Sequence, residues 1–360
     1  MAIKVIVWGT GSVGQIALRE VLLNPAFELV GVKVHSEAKV GVDAGALCGT
    51  APVGVAAVRD ASELPFDTAD CVLYHPMVAD YDEIASLLRQ GVNVVTTASN
   101  VYPQFYGAAV FDKLDLAGKE GKASFHGSGV NPAFMSDVLP LTLSGLTHRA
   151  RKISVREVSD VNHYSSTAPE IMCDHIGFGK SPEAAMQAND FLKGMTAYFS
   201  ESILAIADHL GVTLDRIDEQ HEVAVTKERV TLDNGRLIEP GTVGCRRFEW
   251  RGIVGGEARI VLSTFWKLTT NLEPAWDVAS TDLVEWTVTI EGVPSLRCTV
   301  ATCASFDAAH PDFGKGGEVA AVEATATHAV NAVPYVVAAD PGVRTFLDLP
   351  IIASSGALRG

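Results

Sequence analysis

Gly9-Thr10-Gly11-Ser12-Val13-Gly14 follows the apolar run Ile3–Trp8 and opens a segment with Val13, Ile16, Ala17 and Val21 at helical spacing. A G-x-G-x-x-G sequence alone carries little, but between a strand and a helix it is a phosphate cradle. Gly9 permits the tight turn, Gly11 lets backbone approach a pyrophosphate, and Gly14 lets helix and strand come close. The helix N-terminus presents free N–H groups to the anion. The expected ligand is a dinucleotide, cradled by Gly9, Thr10, Gly11, Ser12, Val13 and Gly14.

The surrounding pattern supports that reading. The helix over Gly14–Asn24 stops at Asn24-Pro25, and further strands are expected at Glu28–His35, Ala69–His75, Asn93–Ala98 and Ala123–Gly127. Helices are expected at Asp80–Gln90, at Ala108–Gly121 and from Pro132. Strands alternating with helices imply a parallel sheet covered on both faces. After about Arg149 the period changes: Val284, Trp286, Val288 and Ile290 alternate with Glu285, Thr287, Thr289 and Glu291, the mark of a half-buried antiparallel strand. Lys152–Val161, His221–Val230, Cys245–Arg251, Glu257–Leu268 and Leu296–Cys303 read similarly, with helices at Ser181–Phe191 and Met195–Leu210. A long Ala- and Val-rich helix is expected at Val319–Ala339.

The fold class is therefore α/β, a doubly wound Rossmann sheet plus a second α+β domain with an open, mostly antiparallel sheet. With 360 residues and ~150 residues per domain as a guide, the division is a nucleotide-binding domain at 1–149, a substrate and dimerisation domain at 150–318, and a C-terminal helix and tail at 319–360 that return to the first domain.

A net charge of −15 argues against nucleic acid or anionic membrane as a partner. No run approaches the ~18 apolar residues of a membrane span, and the first residues lead directly into a strand, so a cytoplasmic protein is expected. Six cysteines show no metal-ligand spacing, no metal is expected, and Cys71 and Cys298 read as small core residues. The tryptophans of the second half read as sheet core or interface.

Which nicotinamide cofactor fits depends on the end of the second strand, where an Asp or Glu would accept the ribose hydroxyls and repel a 2′-phosphate. That strand ends Lys33-Val34-His35-Ser36, with no carboxylate before Glu37. His35, Ser36 and Lys39 could donate to a phosphate instead, so NADP is preferred and NAD possible. His75, Pro76, Thr97 and Ala98 stand at the carboxyl ends of the next strands, and Asn131 and Pro132 follow the fifth, where backbone can lie against nicotinamide.

The fingerprint, the segment 34–45, the loop 127–134 and the motifs Ala329-Val330-Asn331-Ala332-Val333-Pro334 and Asp348-Leu349-Pro350 together resemble 2,4-diaminopentanoate dehydrogenase and the related amine dehydrogenases, which share a dihydrodipicolinate reductase-like N-terminal domain. The resemblance covers nearly the whole chain. It implies a homodimeric NAD(P)-dependent oxidoreductase that interconverts an amine with a ketone or aldehyde plus ammonia. It also implies a carboxylate in the loop after the fourth strand, yet 96–107 contains no Asp or Glu. The His-His-x-x-Lys sequence of true dihydrodipicolinate reductases is absent too; the nearest stretch, Asn162-His163-Tyr164-Ser165-Ser166-Thr167, lacks the lysine.

Asn100 and Tyr102 can hydrogen-bond a carbonyl or imine, and His163 or Tyr164 can transfer its proton. Phe105, Tyr106 and Phe134 would make the substrate pocket, expected at the domain junction, largely apolar. The partner is a small carbonyl or amine. Two alternatives remain at this stage: a ketone or imine reductase without amination, and a non-catalytic NADP-binding sensor or scaffold.

Overall fold

The computed structural model describes residues 2–98, 100–279, 281–354 and 356. Ser99, in the segment 96–107, lies outside the described residues. The chain forms two compact units, Met1–Phe134 with Val322–Gly360, and Met135–Ala321.

The first unit is built on a parallel sheet of β1 (Ile3–Trp8), β2 (Phe27–Lys33), β3 (Ala57–Val58), β4 (Cys71–Tyr74), β5 (Asn93–Thr96), β6 (Ser124–Gly127) and the edge pair Gly342–Val343. Their order is Gly342–Val343, β6, β5, β4, β1, β2, β3. Successive side chains of a strand point to opposite faces, so Val5 and Val7 of β1 face helix α1 (Ser12–Leu23) and residues 326–336, while Ile6 and Trp8 face the helices Tyr81–Arg89 and Ala108–Gly121. Both faces are buried, which is why the strands read as nearly continuous apolar runs. Strand order reverses around β1 and β4, and ligands of open α/β sheets bind outside the carboxyl ends at such a point.

The second unit holds a mixed sheet in the order Leu272–Glu273, β8 (Arg216–Thr226), Val243–Val254, Glu257–Lys267, β7 (Lys152–Asp160), Val284–Glu291, Leu296–Thr302. Every pairing is antiparallel except that of β7 with Glu257–Lys267. The helix Asp190–His209 covers one face: Phe199 stacks on Trp250 at 4.2 Å, and Gly252 leaves room for Ile203, which a β-carbon would meet at 2.7 Å. On β7 the buried carboxylate of Glu157 accepts the indole N–H groups of Trp266 and Trp286, each at 2.8 Å.

Three expectations change. The helix over Ser181–Phe191 is only one turn, Pro182–Ala185, because Asn189 caps a new helix by accepting the N–H of Leu192 at 2.8 Å. Pro132 does not open a helix: Asn131 and Pro132 are extended and Ala133 has φ 130°, outside the helical region, so helical backbone starts only beyond Ala133. Cys298 is not core, since Leu296–Thr302 is the sheet's last strand and leaves it half-exposed. Among the described residues no helix is long and apolar enough to cross a membrane.

Candidate functional site

The cradle starts where β1 ends. Gly9 turns at φ 97° and donates its N–H to the Lys33 carbonyl oxygen at 2.9 Å. A β-carbon on Gly14 would lie 2.0 Å from the Gly9 carbonyl oxygen, so Gly14 is required for the fold itself. A β-carbon on Gly11 would meet nothing within 4 Å. No side chain caps α1 at Gly11, and helix N-termini without caps leave N–H groups available to an anion. Beside them Lys39 Nζ donates to the Thr10 carbonyl oxygen at 2.6 Å. The open space and the uncapped N–H groups fit a dinucleotide pyrophosphate.

At the end of β2, Lys33 Nζ lies 4.4 Å from the centre of the Trp8 ring. His35 and Ser36 are exposed. Partial desolvation of the ring, and then the neighbouring charges of Lys33 and Arg59, hold His35 below the usual histidine range against the opposing Glu83. The first carboxylate, Glu37, pairs with Arg59 at 2.6 Å.

At the end of β4, His75 Nδ1 is 2.8 Å from Thr97 Oγ1, while its Nε2 is buried and makes no hydrogen bond. Burial pushes this imidazole down to about 4, so it is neutral near pH 7. Pro76 is half-exposed and Ala98 buried. Asn100 sits at φ 63°, almost fully buried, accepting the Tyr81 hydroxyl at 2.8 Å and donating to the Ala98 carbonyl oxygen at 2.9 Å. A β-carbon on Gly127 would strike the Asn100 carbonyl oxygen at 2.1 Å. Tyr102 is buried, and Tyr106 contacts the rings of Phe105 and Tyr81, with centroids 5.3 and 6.3 Å away.

Two residues of this unit escaped sequence reasoning. Ser128 Oγ lies 2.8 Å from His328 Nδ1, and the His328 ring meets Phe134 with centroids 5.5 Å apart. The available signal was a lone histidine inside an Ala- and Val-rich helix.

In the second unit, His163 and Tyr164 lie on the short helix Asn162–Thr167. His163 Nδ1 is 3.4 Å from Asp233, and both side chains are exposed. The Tyr164 backbone N–H donates to both carboxyl oxygens of Glu318 at 3.1 Å. Burial pushes Glu318 up to about 8, reinforced by Asp160, Asp282 and Asp233 and opposed by the Tyr164 N–H. Lys267 Nζ is held by Asp160 at 2.9 Å. Glu318 can therefore exchange a proton near neutral pH. Sequence reasoning missed it because a carboxylate in a helix's first turn ordinarily only complements the dipole.

Known proteins resemble this chain over most of its length. The family model described as the 2,4-diaminopentanoate dehydrogenase C-terminal domain matches residues 134–358. An amine dehydrogenase of Streptomyces virginiae is 32% identical, covering 99% of this chain and 98% of that protein. A 2,4-diaminopentanoate dehydrogenase of Acetoanaerobium sticklandii is 26% identical, over 97% of this chain and 94% of its own length. The solved structure of an amine dehydrogenase from Mycobacterium smegmatis superposes with a TM-score of 0.73 at 21% identity, covering 98% of this chain and 97% of its own. The chain belongs to the family of 2,4-diaminopentanoate dehydrogenase and the amine dehydrogenases, oxidoreductases that use a nicotinamide cofactor.

Proposed function

We propose that this chain interconverts a small hydrophobic ketone or aldehyde plus ammonia with the corresponding amine, using NADP(H) in preference to NAD(H). The observation that carries the reading is the uncapped helix behind an open Gly11, in a chain of this family. Gly9, Thr10, Gly11, Ser12, Val13 and Gly14 would hold the pyrophosphate. His35, Ser36 and Lys39 would face the adenine ribose, and the absence of a carboxylate before Glu37 supports NADP. His75, Pro76, Thr97, Ala98, Asn131 and Pro132 would flank the nicotinamide, with His75 Nε2 free to take a hydrogen bond.

When bound, the nicotinamide supplies or accepts the hydride. The protein's part is to orient the substrate and to move a proton. Asn100 and Tyr102 would shape the substrate wall together with Phe105, Tyr106 and Phe134, Asn100 acting through the Tyr81 hydroxyl that it holds. Glu318 and Tyr164, with His163 beside them, would exchange the proton; the support is a carboxyl group poised near 8 in a chain whose 96–107 loop has none. That missing loop acid also favours a second reading, a carbonyl or imine reductase without amination. Measuring NADPH consumption with an apolar ketone, with and without ammonia, separates them: amination requires ammonia, reduction does not, and no consumption under either condition rejects both.

A homodimer in the cytoplasm completes the proposal. The sheet face opposite Asp190–His209 carries Arg156 and Arg247 over Phe265, with Trp276 against the same ring, and arginine and aromatic residues are enriched at interfaces. The six cysteines are unpaired, as suits a reducing compartment.

A further inference from the structure

Beyond the carboxyl end of β2 stands an exposed charge pair, Glu37 with Arg59. β3 lies parallel to β2 with Val58 opposite Lys33, and Val34 donates its N–H to the Val58 carbonyl oxygen at 2.9 Å. The next residue, Arg59, is therefore delivered beside His35 and Ser36, where a dinucleotide's adenine ribose lies in this fold. Its Nη1 is 2.6 Å from the Glu37 carboxylate, and both side chains are exposed. Glu37 opens the same one-turn helix, Glu37–Lys39, that sends Lys39 to Thr10 in the cradle. One turn and one strand end thus bring together a carboxylate suited to ribose hydroxyls and a guanidinium suited to phosphate.

We propose that Glu37 and Arg59 form a partner-exchange pair through which one site takes either cofactor. With NADP, Arg59 leaves Glu37 and binds the 2′-phosphate, joined by Lys39. With NAD, Arg59 stays on Glu37, which uses its remaining lone pairs to accept the ribose hydroxyls. An exposed ion pair contributes little, so the exchange costs little, whereas a guanidinium on a phosphate makes charge-assisted hydrogen bonds that are considerably stronger. Glu37 thereby tempers the preference for NADP without abolishing NAD binding. This inference rests on the reading of the chain as nicotinamide-dependent.

The test is direct titration of NADPH and NADH by fluorescence into the wild type, Arg59→Ala, Glu37→Gln and the double variant, with no substrate present. Arg59→Ala should weaken NADPH at least about tenfold, the worth of one charge-assisted hydrogen bond, and leave NADH nearly unchanged. Glu37→Gln should tighten NADPH by about two- to fivefold, the scale of one exposed ion pair, and weaken NADH. The gain for NADPH should vanish in the double variant. Equal losses for both cofactors in Arg59→Ala, or unchanged or weaker NADPH binding in Glu37→Gln, would overturn the exchange. If the wild type binds neither cofactor, the nicotinamide reading itself fails, a result distinct from loss of selectivity alone.

Discussion

A β-carbon on Gly14 would stand 2.0 Å from the carbonyl oxygen of Gly9, whereas one on Gly11 would meet nothing within 4 Å beyond its own chain neighbours. Gly14 is therefore demanded by the fold, whereas nothing in the fold demands Gly11, which is open to the proposed pyrophosphate. Gly14→Ala should lower stability by about 1–3 kcal/mol or more, the usual cost of overpacking. Gly11→Val should keep the melting temperature within a few degrees of wild type and abolish cofactor binding. Thermal unfolding combined with fluorescence titration checks both, and a folded Gly11→Val variant that binds NADPH normally would remove the cradle from the account.

Asn100 holds the Tyr81 hydroxyl from a left-handed backbone position. Asn100→Ala should cost about 1–3 kcal/mol by leaving a half-buried hydroxyl without that acceptor. If Asn100 lines the substrate wall as proposed, kcat should fall while NADPH affinity stays nearly constant. Asn100→Glu, which returns a carboxylate to the loop, should raise amination relative to ketone reduction. Unaltered turnover in a folded Asn100→Ala variant, with an unaltered activity ratio in Asn100→Glu, would take the loop out of the mechanism.

Glu318, pushed up to about 8 from the usual 4.5, binds its proton more tightly in the folded chain than in the unfolded one. Its stabilising contribution is complete below about pH 4.5 and is lost as pH rises toward 8. Buried Asp137, in the same unit, is raised from 3.8 to about 8, mainly by burial and further by Glu201, against Ser202 and Ser136, and so adds a slope of the same sign. Glu318→Gln and Asp137→Asn should each flatten the fall in unfolding free energy across that window. Only Glu318→Gln should also remove a limb near pH 8 from the kcat profile. A limb that persists would assign the proton to another group.

Much of this was legible in the sequence where a physical pattern was local. The strand Val284–Glu291 and the helix Ala108–Gly121 match their expected ends, because alternation and helical spacing are written in neighbouring residues. The one-turn helix Pro182–Ala185 was not foreseen, since Asn189 caps the next helix through a single hydrogen bond that periodicity does not encode. Ser128, His328 and Glu318 were missed for a related reason. Their chemistry comes from partners distant in the chain, at separations of 200 residues for Ser128 with His328 and 154 for Tyr164 with Glu318. Arg59 likewise gains meaning only from the register of the two-residue strand β3.

In the proposed reaction this chain delivers hydride to a carbon that ends up bearing nitrogen. The most direct measurement uses NADPH deuterated at the transferred position, a small apolar ketone and ammonia, with mass spectrometry of the product. The expected product is an amine carrying a single deuterium on the carbon attached to nitrogen, formed only when ammonia is present. A deuterated alcohol formed equally well without ammonia, or no labelled product under either condition, would contradict it.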